Sequence, residues 1–169
     1  MTIRPYQNKD YKQILRMLNQ SMDYHMNIAD PPVFKESKNR GKLIANFLRS
    51  LVAKARRSTG VLLVAQQSPE ELGGFVYGEV PKYSKDITKI RVKCGIVKEI
   101  YVNEDYRNKG VGVQLMSEIE KFFAKNNCDL VLLNDVHRKN TPAINLYEKL
   151  GYHVRVSEYV KELKNNTLI

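Results

Sequence analysis

The stretch Ile100 to Gly112, IYVNEDYRNKGVG, constrains this chain more than any other. Three apolar residues, Ile100, Tyr101 and Val102, stop at a polar patch, Asn103 to Tyr106. Arg107, Asn108, Lys109, Gly110, Val111 and Gly112 follow, and a helical apolar spacing starts at once with Val111, Leu115, Ile119, Phe122 and Phe123. The stretch reads as a strand, a basic glycine-containing loop and a helix start, and the element order around it, β-α-α-β-β-β-α-β-α-β, places the chain among the mixed α/β folds. The junction also carries chemistry. Amides at a helix start have no partner within the helix and lie at the positive end of its dipole. Gly110 and Gly112 remove side chains from that approach, and Arg107 and Lys109 add positive charge. The turn therefore reads as a cradle for a phosphate or diphosphate. It lacks the Gly-Lys-Ser/Thr of nucleoside-triphosphate loops and the Gly-x-Gly-x-x-Gly of dinucleotide sites.

The flanking chain supplies the layers. Met1–Pro5 reads as a first strand, and Asn8 or Asp10 as the cap of a helix whose stripe is Tyr11, Ile14, Leu15, Leu18 and Met22. Pro31-Pro32 breaks the pattern. A second helix is expected over Lys35–Arg57, with Leu43, Ile44, Phe47, Leu48, Leu51, Val52 and Ala55 on its core face. Val61–Gln66 and Gly74–Val80 read as a hairpin, Pro81–Arg91 as a mobile basic loop, and Val92–Val102 as the strand that delivers the chain to the phosphate turn. After the third helix, Asp129–Val136 reads as a buried strand. Thr141–Leu150 reads as a short helix with Pro142 in its first turn and Gly151 past its end. Tyr152–Leu163 alternates as a last strand, and 164–169 reads as a flexible tail. The expectation is one domain over 1–169: a mixed sheet of six to seven strands with four helices on both faces.

Charge narrows the partners. A net charge of +10 invites nucleic acid, yet the lysines are scattered and lack aromatic interleaving, so a solvated basic surface is the expectation and a nucleic-acid-binding protein the least favoured reading. No apolar run is long enough to span a membrane, no export signal opens the chain, and Cys94 and Cys128 stand apart from any metal-type pair. A reduced cytoplasmic setting and no metal are expected.

The turn from Arg107 to Gly112 resembles the Arg/Gln-x-x-Gly-x-Gly/Ala loop of the GNAT superfamily of N-acetyltransferases. The stretch Asn140 to Tyr152, NTPAINLYEKLGY, resembles that superfamily's Asn-x-x-Ala-x-x-x-Tyr-x-x-x-Gly-Phe signature, with Tyr152 in place of the last Phe. Finding both in order is specific. The match is close from about Gly95 to Tyr152, and only helical layout matches before Gly60.

The resemblance implies a splayed central sheet and acetyl-coenzyme A as co-substrate. It implies transfer of the acetyl group to a primary amine, on a small molecule or a peptide, by direct attack in a ternary complex. Coenzyme binding would fall to Ile100, Tyr101, Val102, Arg107, Asn108, Lys109, Gly110, Val111, Gly112, Val113, Asn134, Asn140 and Asn145, with the amide of Val102 or a neighbour as oxyanion donor. Tyr147 would protonate the leaving thiolate; the alternative is a core tyrosine with its hydroxyl at the surface. The connection with Tyr24 and His25 would line the acceptor groove, the favoured alternative for His25 being a plain histidine near a helix end, and a homodimer is a frequent arrangement. The general base stays open on the residues alone. Strand alternation puts Glu99 with Tyr101 on the face opposite Ile100 and Val102, where a carboxylate can take an amine proton. Asp135 and Glu79 are further candidates. A coenzyme-A-binding regulatory domain without transfer activity is the alternative function.

Overall fold

The computed structural model describes residues 1–29, 38–57, 59–81 and 92–158. Five strands form one sheet in chain order: β1 (Thr2–Pro5), β2 (Gly60–Ser68), β3 (Glu71–Glu79), β4 (Cys94–Val102) and β5 (Leu130–Leu133). The first four pair antiparallel; β4 and β5 run parallel, so the sheet is mixed. Four helices cover it: α1 (Tyr11–Ile28), α2 (Arg40–Arg56), α3 (Val111–Lys125) and α4 (Thr141–Lys149).

Alternation along the strands builds two cores. On one face Ile14, Leu48, Leu62, Val64, Phe75 and Tyr77 pack α1 and α2 against the sheet. On the other, Val76, Val97, Leu115, Ile119 and Phe123 seat α3. Gly95 allows α3 to lie this close, because a β-carbon there would stand 2.3 Å from the Phe123 ring. The lead into α1 is pinned by the buried Asp10. Its carboxylate accepts from Arg4 Nη1 at 2.7 Å, from Arg4 Nη2 at 2.9 Å and from the Gln7 amide at 2.7 Å. Burial alone would raise the Asp10 carboxyl; the hydrogen bonds from Arg4 and Gln7, with the Arg4 charge, outweigh it and hold it below its ordinary value. The expected cap at Asn8 or Asp10 thus takes another form, because Asp10 turns back to the chain before the helix and makes no cap bond into α1.

Three expectations are corrected. The sheet has five strands among the described residues, not six to seven. Tyr152–Glu158 takes no strand pairing, and its alternating apolar side chains, Val154 at 79% and Val156 at 70%, stand exposed; 159–163 lie outside the described residues. The strand expected over Asp129–Val136 is shorter and less buried, ending at Leu133 with Leu130 half exposed, because it is the sheet's edge. Leu43 and Phe47, assigned to the core face of α2, are 56% and 38% exposed. The expected loop falls outside the described residues over 82–91, as do the start of the second helix over 35–37 and the tail over 164–169.

Candidate functional site

The site lies where β4 loses its neighbour. β5 pairs with β4 only from Cys94↔Leu130 to Val97↔Leu133, and β4 then runs on to Val102 with that side unpaired among the described residues. A register shift marks the parting: Val97 faces Gly78 and Glu99 faces Tyr77, so Lys98 is an extra residue in β4. Such a bulge bends the strand and increases its twist. The amide of Asn103 donates to Gly73 at the edge of β3. By alternation, the amides of Ile100 and Val102 therefore point away from β3, into the space β5 has left. The Val102 carbonyl faces that way too, accepting from Arg107 Nε at 3.1 Å.

At the end of β4 the chain makes a single 3₁₀ turn over Glu104–Tyr106 and enters α3. Asn108 at φ 60° and Gly110 at φ 78° are both left-handed, and Gly110 is the residue before the helix. A side chain at Gly110 would meet open space, so backbone conformation and not crowding calls for glycine there. Gly112 differs: a β-carbon there would come within 2.9 Å of Leu146 on α4, so its bareness lets the two helices approach. The first helical bond of this turn is Gln114 to Gly110 at 3.0 Å, so the amides of Val111 to Val113 have no partner within the helix. Lys109 lies over the Tyr106 ring, 5.7 Å from its centre. Arg107 is held back on the turn by the Val102 carbonyl, by Glu104 at 3.2 Å and by the Tyr101 ring.

Glu99 and Tyr101 face α1 and α2, whereas Ile100 and Val102 face α3, as the alternation requires. Glu99 reaches into an apolar cavity of about 190 Å³ with Leu18 and Ile44 among its walls. Burial pushes its carboxyl up to about 7. Tyr147, on α4, packs with the α3 core, its ring 6.1 Å from that of Tyr152 in an edge-to-face arrangement. Its hydroxyl makes no hydrogen bond to a described residue, and burial, with the charge of Glu99, pushes it up to about 12.

The remaining candidates divide. Asn140 caps α4 by accepting from the Ala143 amide at 3.3 Å, and the same oxygen accepts from the Tyr24 hydroxyl at 3.3 Å. This bond ties the end of α1 to the start of α4, across the site, and nothing in the sequence spacing links these residues. His25 lines the Glu99 cavity, and burial, with the nearby His137, lowers its pKa. Asn134 and Asp135 lie beyond the end of β5 and are exposed, Asp135 at φ 60°. Asn145 is exposed on α4. Glu79 is removed from the cavity, because its carboxylate accepts from Tyr77 and Lys54, both at 2.9 Å. Among the described residues no cluster of metal-ligating side chains forms, and no helix is long and apolar enough to cross a membrane.

Known proteins share this layout. The profile of the Acetyltransferase (GNAT) family matches residues 22–152. An N-alpha-acetyltransferase of Sulfurisphaera tokodaii is 44% identical over 62 residues, which span 36% of this chain and 36% of that protein. The BH1408 protein of Bacillus halodurans, as a point mutant, superposes with a TM-score of 0.83 at 20% identity, covering 97% of this chain and 100% of its own. A putative acetyl transferase from Pyrococcus furiosus gives 0.68 at 21% identity, covering 96% and 99%. At such identities the structural likeness concerns the fold.

Proposed function

The chain belongs to the GNAT acetyltransferase family, and from that premise we propose that it moves the acetyl group of acetyl-coenzyme A to a primary amine by direct attack. The observation that carries this reading is the parting of β4 from β5 after Val97, with Glu99 on one face of the unpaired strand and Tyr147 packed with the core on the other. The residues present fit the coenzyme. The amides of Val111 to Val113 at the start of α3, with open space above Gly110, suit a diphosphate. The outward amides of Ile100 and Val102 suit the amide groups of its arm, as a strand suits an open edge.

When bound, the thioester supplies an acetyl carbon open to attack by an amine. The chain's own groups do the rest. Glu99, with a carboxyl near neutrality, takes the proton that the acceptor ammonium sheds. Of the outward amides of Ile100 and Val102, the one the arm leaves free donates towards the oxygen on which charge builds. Tyr147, its hydroxyl raised and so protonated at neutral pH, gives its proton to the departing sulfur. Tyr24 and Asn140 hold α1 to α4, so the acceptor and coenzyme sides keep their spacing. The name of the Sulfurisphaera relative makes the α-amine of a polypeptide a reasonable acceptor to include in any screen.

The test is thiol release from acetyl-coenzyme A with a panel of amines. Release should require both partners. Tyr147→Phe should lower kcat by about a hundredfold or more while leaving coenzyme affinity in place. An unchanged kcat would remove Tyr147 from the reaction.

A further inference from the structure

The cavity that Glu99 enters has a mouth the core does not explain. Met22 at 38%, Leu43 at 56% and Phe47 at 38% exposure stand at its edge. Single exposed apolar side chains are ordinary, but three gathered on one rim mark a surface that meets something apolar. The core does not need them, since Ile14, Leu18, Ile44, Leu48 and Leu51 already fill the space between helices and sheet. The charge is just as restricted. Among the described residues Glu99 is the one carboxylate in the lining, and His25 beside it is disfavoured from carrying a proton.

The geometry points to an acceptor with one primary amine next to an apolar group, the amine meeting Glu99 and the apolar group lying among Met22, Leu43 and Phe47. This rests on the acetyl-transfer reading above. Size agrees: an apolar cavity of about 150 Å³ holds a benzene-sized molecule, and this one is about 190 Å³. It takes one ring or one branched aliphatic side group, whereas drug-sized ligands need about 300 Å³ or more. A polyamine or an aminoglycoside would bring further ammonium groups to walls that hold no second carboxylate among the described residues, and burying an unpaired charge is strongly unfavourable. Free aryl- or alkylamines present the required chemistry, and so does a polypeptide N-terminus that begins with Met, Leu or Phe.

The experiment compares initial rates of thiol release for the full chain and for Leu43→Ser and Phe47→Ser. The acceptors are phenethylamine, isoamylamine, tetrapeptides beginning Met, Leu, Phe, Ser or Asp, spermidine and kanamycin. Both positions are exposed, and coenzyme A affinity by calorimetry reports that the variants remain folded. Apolar acceptors should lead, and each substitution should cut their kcat/KM about ten- to a hundredfold, mainly through KM. Preference for peptides over free amines, or the reverse, identifies the source. Faster transfer to spermidine, kanamycin or the Asp-first peptide overturns the inference and leaves acetyl transfer standing. So does an unchanged kcat/KM in both variants. Absence of both coenzyme binding and transfer to every acceptor overturns the two together.

Discussion

Glu99 concentrates the chemistry in one side chain. Its carboxyl rises from the ordinary 4.5 to about 7 because it is buried among apolar groups without a compensating cation among the described residues. A carboxyl raised by folding favours the neutral form in the folded chain. Its contribution to stability is full below the ordinary value and is lost as pH rises through about 7. Glu99→Gln should therefore leave stability unchanged below about pH 4 and raise it above about pH 8, by on the order of 3 kcal/mol. Denaturant titrations across pH would show this. The same substitution should abolish the rise of kcat/KM with pH through about 7. A Gln variant that keeps this limb assigns the base to another group. The sequence places Glu99 on the right face by alternation alone, but it cannot show the cavity, which forms only when α1 and α2 pack. Asp135 and Glu79 are indistinguishable from it in sequence. They separate in the fold, where Glu79 is tied to Lys54 and Tyr77 and Asp135 lies past the sheet edge.

At the scale of elements, the turn into α3 was legible because its signals are local: a strand ending, two glycines and an apolar period. The roles inside the turn were less so. Gly110 serves by its backbone angle and Gly112 by its contact with α4, a distinction that depends on tertiary approach. Arg107 shapes the turn through Val102 and Glu104 as well as adding charge. Gly110→Ala should cost about 1–2 kcal/mol through the left-handed strain and weaken coenzyme A binding, read by thermal denaturation and calorimetry. Full stability with full affinity would mean the turn tolerates another conformation and does not hold the diphosphate as described. The strand expected after Gly151 failed for a plain reason. Alternation marks residues that can face a core, and Val154 and Val156 have none to face. The α2 stripe failed in the other direction. It is wider than the core requires, and the surplus, Leu43 and Phe47, borders the cavity.

Across the whole molecule, a sheet that pairs tightly through β1 to β4 and parts at β5 has Glu99 on one face and Tyr147 packed on the other. The order of elements as far as α4 is readable from their periods, and so are the helices on both faces; the strand expected after α4 is not. The extent of β5 was not, because where two strands part depends on the bulge at Lys98 and on the chain beyond Leu133. The most direct test is amide hydrogen exchange on the full chain, with and without saturating coenzyme A. Exchange should slow at Ile100 and Val102 and across Asn108 to Val113 together. Heat of binding accompanied by no slowing at either stretch, or by slowing elsewhere alone, would contradict a coenzyme held in the gap between β4 and β5.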